Sequence, residues 1–272
     1  MLAVAAIATL LSGCALPARF RAAERYERGL VYVLPGIEGR SILNRNIAVG
    51  LDEGGVRGAI EIYDWTYKIP GANVLNLIDI ERNRQEAVRI AGRILTYRAR
   101  YPGRPVHLIG HSGGAAMAVL VLEALPPGRQ IDSAILLAPA LSPEYDLTTA
   151  LRRARFGLAN FYSKWDIGLL MVGTTVFGTT DREHGSSAGA VGFTQPESLT
   201  TDGQRLYRDR LRQVGWDREM REAGASGTHV GWASKAFARR YLAPLIIGYE
   251  ARRRDLSRIP ADLPASGVSA SP

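Results

Sequence analysis

The chain has 272 residues, 46% of them hydrophobic, a globular composition that is long enough for one large core and excludes an intrinsically disordered chain. Its formal charge of +8 is carried almost entirely by arginine, with Lys68, Lys164 and Lys235 the only lysines. The arginines are scattered and lack the interleaved aromatics of a nucleic-acid platform, so no nucleic-acid partner is expected. One cysteine, Cys14, excludes an intramolecular disulfide, and no apolar run reaches the length of a bilayer-spanning helix.

In chain order, Met1 to Gly13 is a run of small and apolar residues closed by Leu11-Ser12-Gly13-Cys14. That ending resembles the lipobox of bacterial lipoproteins, although the run carries no Lys or Arg after Met1. The resemblance implies a signal peptide over residues 1–13, a lipidated Cys14 and a chain anchored to a membrane of the bacterial cell envelope. The arginine-rich residues 14–28 then read as a tether. Residues 29–255 read as one domain, and the Pro-, Ser- and Ala-rich residues 256–272 as a disordered tail.

Within the domain, Leu30 to Leu34 is the first strand and runs into the loop Pro35-Gly36-Ile37-Glu38-Gly39. Gly58 to Tyr63 is the next strand. Asn76 to Arg100 has helical spacing and is stopped by Tyr101-Pro102-Gly103. Val106 to Ile109 is a short apolar strand and Ala115 to Leu125 a helix. Between them lies Gly110-His111-Ser112-Gly113-Gly114, a G-x-S-x-G whose serine a strand-to-helix turn would expose. Gly185-Ser186-Ser187-Ala188-Gly189 also fits that spacing, but no apolar strand precedes it, so it reads as a loop.

Ile131 to Leu137 is a further strand, Tyr145 to Arg155 a short helix and Leu158 to Tyr162 a strand with Asp166 beyond its end. Ile167 to Gln195, glycine-rich and without a period, reads as a mobile flap, part of a loop or lid insertion near 167–210. Leu211 to Trp216 is the last strand, Gly227 to Gly231 a turn, and Trp232 to Ile247 a closing helix with a kink expected at Pro244. Strands alternating with helices predict an α/β fold, a mostly parallel sheet with helices on both faces.

These motifs resemble the α/β-hydrolase superfamily in its lipase and esterase branch, over Leu30 to Tyr249. The carriers are Gly110-His111-Ser112-Gly113-Gly114, Asp166 after a late strand and His229 before the final helix, in the chain order Ser, Asp, His. The resemblance implies a serine hydrolase that cleaves carboxylic esters. Ser112 would be the nucleophile, His229 the general base and Asp166 the acid that orients it. Gly113 N–H and Ile37 N–H would form the oxyanion hole. Pro35 stands where the usual motif has histidine, so Glu38 remains an alternative to Ile37.

The residue types suit that chemistry. A serine hydroxyl needs an adjacent base, a histidine takes and returns the proton near neutrality, and a carboxylate fixes its tautomer. Rival residues are weighed beside these. His107 reads as a satisfied core residue, His111 as a pocket-lining side chain, and His184 as the competing base. Asp146 reads as a helix cap, and Asp181 as an alternative acid. Trp165 reads as packing. His107 and His111 have H-x-x-x-H spacing but lie on a strand and its turn, so no metal is expected, nor any other cofactor. The expected partners are a small-molecule or lipid ester and a membrane. Thioester hydrolysis, acyl transfer and a non-catalytic envelope binding protein on the same fold are the alternative functions.

Overall fold

The computed structural model of the chain describes residues 16–69, 73, 75–166 and 187–258. Its centre is a six-stranded parallel sheet. The strands are β1 (Leu30–Leu34), β2 (Ala59–Ile62), β3 (Val106–His111), β4 (Ser133–Leu137), β5 (Leu158–Tyr162) and β6 (Leu211–Gly215), in the spatial order β2-β1-β3-β4-β5-β6. β1, β3 and β4 are buried at every position, which is why they read as unbroken apolar runs. Leu34 pairs with Gly110 and His111 with Leu137, so the loops after β1, β3 and β4 emerge side by side.

The helices are α1 (Ile42–Glu53), α2 (Ile80–Arg100), α3 (Gly113–Ala124), α4 (Thr148–Arg153), α5 (Thr201–Arg210) and α6 (Ala243–Arg258). α2, α3 and α4 cover one face of the sheet, where Ile90, Ile94, Met117, Val121 and Leu151 meet Tyr32 and Leu136. α1 and the C-terminal helices cover the other, where Ile47, Leu51, Trp232 and Phe237 meet Val33, Ile109 and Phe161. Gly113 to Leu122 of α3 are all buried. A helix apolar on all sides is stable only deep in a core, which fixes the chain after β3 at the middle of the molecule.

Several elements depart from the sequence reading, each for a local reason. Residues 16–28 of the expected tether are packed on the domain. Phe20 is fully buried, and Arg25 bonds Asp52 at 2.6 Å and the carbonyls of Val56 and Gly58. The helix expected over Asn76–Arg100 is broken at Asp79. Asp79 caps α2 by accepting the Arg82 N–H at 3.1 Å, leaving Leu75–Ile78 as a separate turn. α1 had no counterpart in the sequence reading. It is nucleated where Ser41 N–H donates to Asn44 Oδ1 at 3.0 Å in a reciprocal cap.

The described part of the expected flap, 187–195, is packed rather than mobile. Ala188 N–H bonds Leu141 O at 2.8 Å, Gly189 N–H bonds Pro139 O at 3.1 Å, and Phe193 is buried. Thr201–Arg210, within the expected insertion, is the regular helix α5. The helix runs on through Pro244, which directly follows a widened turn in which Ala243 N–H bonds Ala238 O. That turn, Ala238–Leu242, is π-helical and is the irregularity beside the proline. Helix α6 carries on to Arg258, into the start of the expected tail. The expected signal peptide over 1–13, Cys14, Asp181, His184 and the bulk of the flap lie outside the described residues. Among the described residues no helix is long and apolar enough to cross a membrane.

Candidate active site

Ser112 sits between β3 and α3 at φ 56° and ψ −123°. This is a left-handed conformation that a residue with a Cβ adopts only when its surroundings impose it. The imposition comes from the glycines and from the loop after β4. A Cβ on Gly110 would collide with the Gly114 carbonyl, and one on Gly114 with the Leu34 carbonyl, so strand and helix close in tightly around the turn. Ser112 N–H donates to Leu137 O at 2.9 Å, and Ala140 N–H donates back to Ser112 O at 3.3 Å. Ala138 between them, at φ 47°, is the other non-glycine residue with positive φ among the described residues.

Asp166 closes a turn after β5, with its N–H on Ser163 O at 2.8 Å. His229 opens the turn His229–Ala233 that follows β6 and precedes the C-terminal helices. The two meet: His229 Nδ1 lies 2.8 Å from Asp166 Oδ1 and 3.1 Å from Oδ2. The Asp166 side chain is buried and the His229 ring partly open. A carboxylate accepts only, so the geometry makes Nδ1 the protonated nitrogen and leaves Nε2 as the acceptor.

His111 is buried and its side chain reaches the turn that carries His229. Its Nε2 lies 2.8 Å from the His229 carbonyl, and the two rings are 4.9 Å apart. Burial, then the neighbouring His229 charge, push its pKa down to about 3, so it is a neutral donor that holds the His229 turn. Asp146 stands one residue before the cap position, which Leu147 occupies, and accepts the N–H of Thr148 at 2.8 Å. Trp165 stands exposed with Lys164 over its ring rather than packed.

The loop after β1 is pinned carbonyl by carbonyl. Trp65 Nε1 donates to Pro35 O at 2.7 Å, Gly39 N–H to Gly36 O at 3.1 Å, Asn76 Nδ2 to Ile37 O at 3.0 Å and Asn44 Nδ2 to Gly39 O at 3.1 Å. In a trans peptide the N–H points opposite its carbonyl, so fixing Gly36 O fixes the direction of Ile37 N–H. Ile37 packs against Gly113: a Cβ there would lie 3.0 Å from Ile37 Cγ2. Burial pushes the Glu38 carboxyl above the ordinary carboxyl range, while the hydrogen bond from Ser41 and the charge of His229 oppose the shift.

Trp65, Asn44 and Asn76 were not singled out in the sequence. The spacing of Ser41 and Asn44 is the one signal that marks any of them. Among the described residues no group of three or more His, Cys, Asp or Glu side chains could hold a metal ion.

The sequence profile of the family described as serine aminopeptidase matches residues 90–221. No curated protein matches the chain. Similar solved structures include a dienelactone hydrolase-like promiscuous phosphotriesterase from metagenomic libraries, at 15% identity and a TM-score of 0.47 over 83% of this chain and 86% of that one. Lipase B of Aspergillus fumigatus is similar at 14% identity and 0.49, over 84% of this chain and 54% of that one. Esterase B of Lactobacillus rhamnosis is similar at 11% and 0.47, over 85% and 78%. The six parallel strands, the turn at Ser112 and the profile match agree on the architecture. This is the α/β-hydrolase fold.

Proposed function

We propose that the protein is a serine hydrolase that cleaves carboxylic esters through an acyl-enzyme on Ser112. The observation that carries the reading is the 2.8 Å bond between His229 Nδ1 and Asp166, in a molecule whose Ser112 is held at φ 56°. Ser112 Oγ attacks the carbonyl carbon while its proton passes to His229 Nε2. Asp166 stabilises the imidazolium that forms. Gly113 N–H and Ile37 N–H receive the oxyanion; Ile37 is favoured because the held Gly36 carbonyl aims its N–H and its side chain packs against Gly113. The imidazolium then protonates the leaving alkoxide, and water, deprotonated by the same histidine, frees the acid and Ser112.

A fluorophosphonate probe should add one phosphonyl group to Ser112, read by intact and peptide mass. A panel of esters of graded acyl length should then be turned over. Absence of labelling at Ser112 in folded protein overturns the reading. The family description favours amide cleavage by the same groups as a second reading, and an aminoacyl amide included in the panel separates the two.

The site is proposed to work at the bacterial cell envelope, held there by lipid on Cys14. Support comes from the apolar run closed by Leu11-Ser12-Gly13-Cys14. A diacylglyceryl adduct on Cys14 in the mature protein is the expected result, and a free thiol on a chain starting at Met1 is the contrary one.

A further inference from the structure

Glu38 is a second carboxylate at the site, which the chemistry above does not use. The residue as a whole is exposed, but its side chain folds back over Gly36 toward the nucleophile, so that the carboxyl end is partly desolvated. A Cβ placed on Gly36 would collide with Glu38 Oε2 and would lie only 3.3 Å from Ser112 Cβ. The carboxylate therefore stands beside the nucleophile. It is also close enough to His229 to feel the charge of that ring. Its hydrogen-bond partners are neutral: the Ser41 hydroxyl donates to Oε1 at 3.3 Å and the Asn44 amide reaches Oε1 at 3.5 Å.

A fixed negative charge in this place disfavours a neutral substrate. Charge develops on the carbonyl oxygen as Ser112 attacks, and a like charge beside it raises the barrier. The arrangement becomes favourable when the substrate carries a compensating cation. We propose that Glu38 is a specificity-determining residue that selects substrates with a cationic group on the acyl chain a few bonds from the scissile carbonyl, and disfavours neutral and anionic ones. The inference rests on the serine-hydrolase reading of Ser112. It concerns the charge near the reacting carbonyl and holds for a quaternary ammonium, which has no N–H to donate.

The test uses the full chain and two fluorophosphonate probes, one with a trimethylammonioalkyl arm and one with the neutral tert-butyl isostere. Second-order labelling rates of Ser112 are measured by intact mass at pH 8. Wild type should label faster with the cationic probe by about tenfold, equivalent to about 1.4 kcal/mol. The preference should shrink as salt is raised. In Glu38→Gln the ratio should fall to near one, through loss on the cationic probe. Glu38→Asp, which keeps the charge but shortens the arm, should keep part of the preference. An equal ratio in wild type and Glu38→Gln, with Ser112 labelled in both, overturns the role of Glu38 alone. Failure of both probes to label Ser112 in folded wild type overturns the hydrolase reading and this inference with it.

Discussion

Strand β3 carries a histidine near each end, and each lies close to a serine. At the N-terminal end, His107 Nδ1 lies 2.8 Å from Ser133 Oγ, a distance that would suit a base and its nucleophile. At the C-terminal end, His111 precedes Ser112 and holds the turn that carries His229. The lower pair has neither access nor strain. His107 and Ser133 are almost wholly buried on flat, paired strands, and Asp132 beside them is neutralised by Arg98 at 3.1 Å and by Arg253. The upper group has a serine forced to positive φ, a partly open histidine and a buried carboxylate bonded to it. Distance between a serine and a histidine therefore does not identify a site; imposed backbone strain, solvent access and an oriented base do.

The largest effects should separate the two ends outright. Ser112→Ala and His229→Ala should each remove nearly all turnover, and the double variant should cost little more than either single one, because the groups act as a unit. Asp166→Asn should be milder yet still lower kcat by on the order of ten-thousandfold, since it leaves His229 in the wrong tautomer. Ser133→Ala, at the other end, should leave kcat within a small factor. The same esterase assay on all five variants checks this. His184→Ala belongs in the series: it should mainly change apparent affinity, and loss of turnover in it with turnover kept in His229→Ala would reassign the base.

A smaller effect is expected where the loop after β1 is pinned. Asn76 uses both ends of its amide, Nδ2 on Ile37 O at 3.0 Å and Oδ1 receiving Tyr67 N–H at 2.8 Å, while Asn83 holds its carbonyl at 2.8 Å. Asn76→Asp keeps the acceptor and turns the donor into a second acceptor facing a carbonyl. Losing an oxyanion donor outright costs about a hundredfold or more, so loosening the loop that aims one should lower kcat by roughly tenfold. KM should hardly move, and a boronic acid mimic of the tetrahedral intermediate should lose the same factor in affinity. A parallel rise in KM without loss of boronic acid affinity would make Asn76 a structural residue only.

What could be read in the sequence follows from the same contrast. β1, β3 and β4 are buried on both faces, so their apolar runs were unambiguous, and Gly110 and Gly114 marked the turn at Ser112 because close packing there tolerates no side chain. Asp166 and His229 were found by chain order, and their meeting is a contact between residues far apart in sequence. The pins were invisible for that reason. Asn76 and Asn44 reach Ile37 and Gly39 across folded loops, and nothing in their local sequence points there. Its place next to the nucleophile says only that the His111 side chain turns elsewhere; that it reaches the His229 carbonyl is a contact across the fold. Phe20 and Arg25 were lost in a stretch whose composition is polar, though one buried ring and one bonded guanidinium are enough to dock it.

The smallest effect lies at the lower end and concerns stability. Burial pushes the His107 pKa from 6.5 down to about 4, chiefly by desolvation. In the unfolded chain the ring titrates near its ordinary value, so between pH 6.5 and about 4 the unfolded state takes up a proton that the folded state refuses. Stability from this group is therefore intact above pH 6.5 and is lost as pH falls through that window. Glu250, whose carboxylate lies 3.9 Å from His107 Nε2 and whose pKa burial raises to about 7, has the opposite sign: its contribution is present at low pH and lost as pH rises through about 7. Comparing wild type with His107→Gln isolates the histidine, because glutamine keeps a polar partner for Ser133 and does not titrate. Wild type should lose on the order of 3 kcal/mol relative to the variant between pH 6.5 and 4. Urea unfolding at several pH values reads the difference directly. A pH-independent gap between the two proteins would mean that His107 titrates as freely in the fold as out of it, and that the lower end of β3 is more open than its packing indicates.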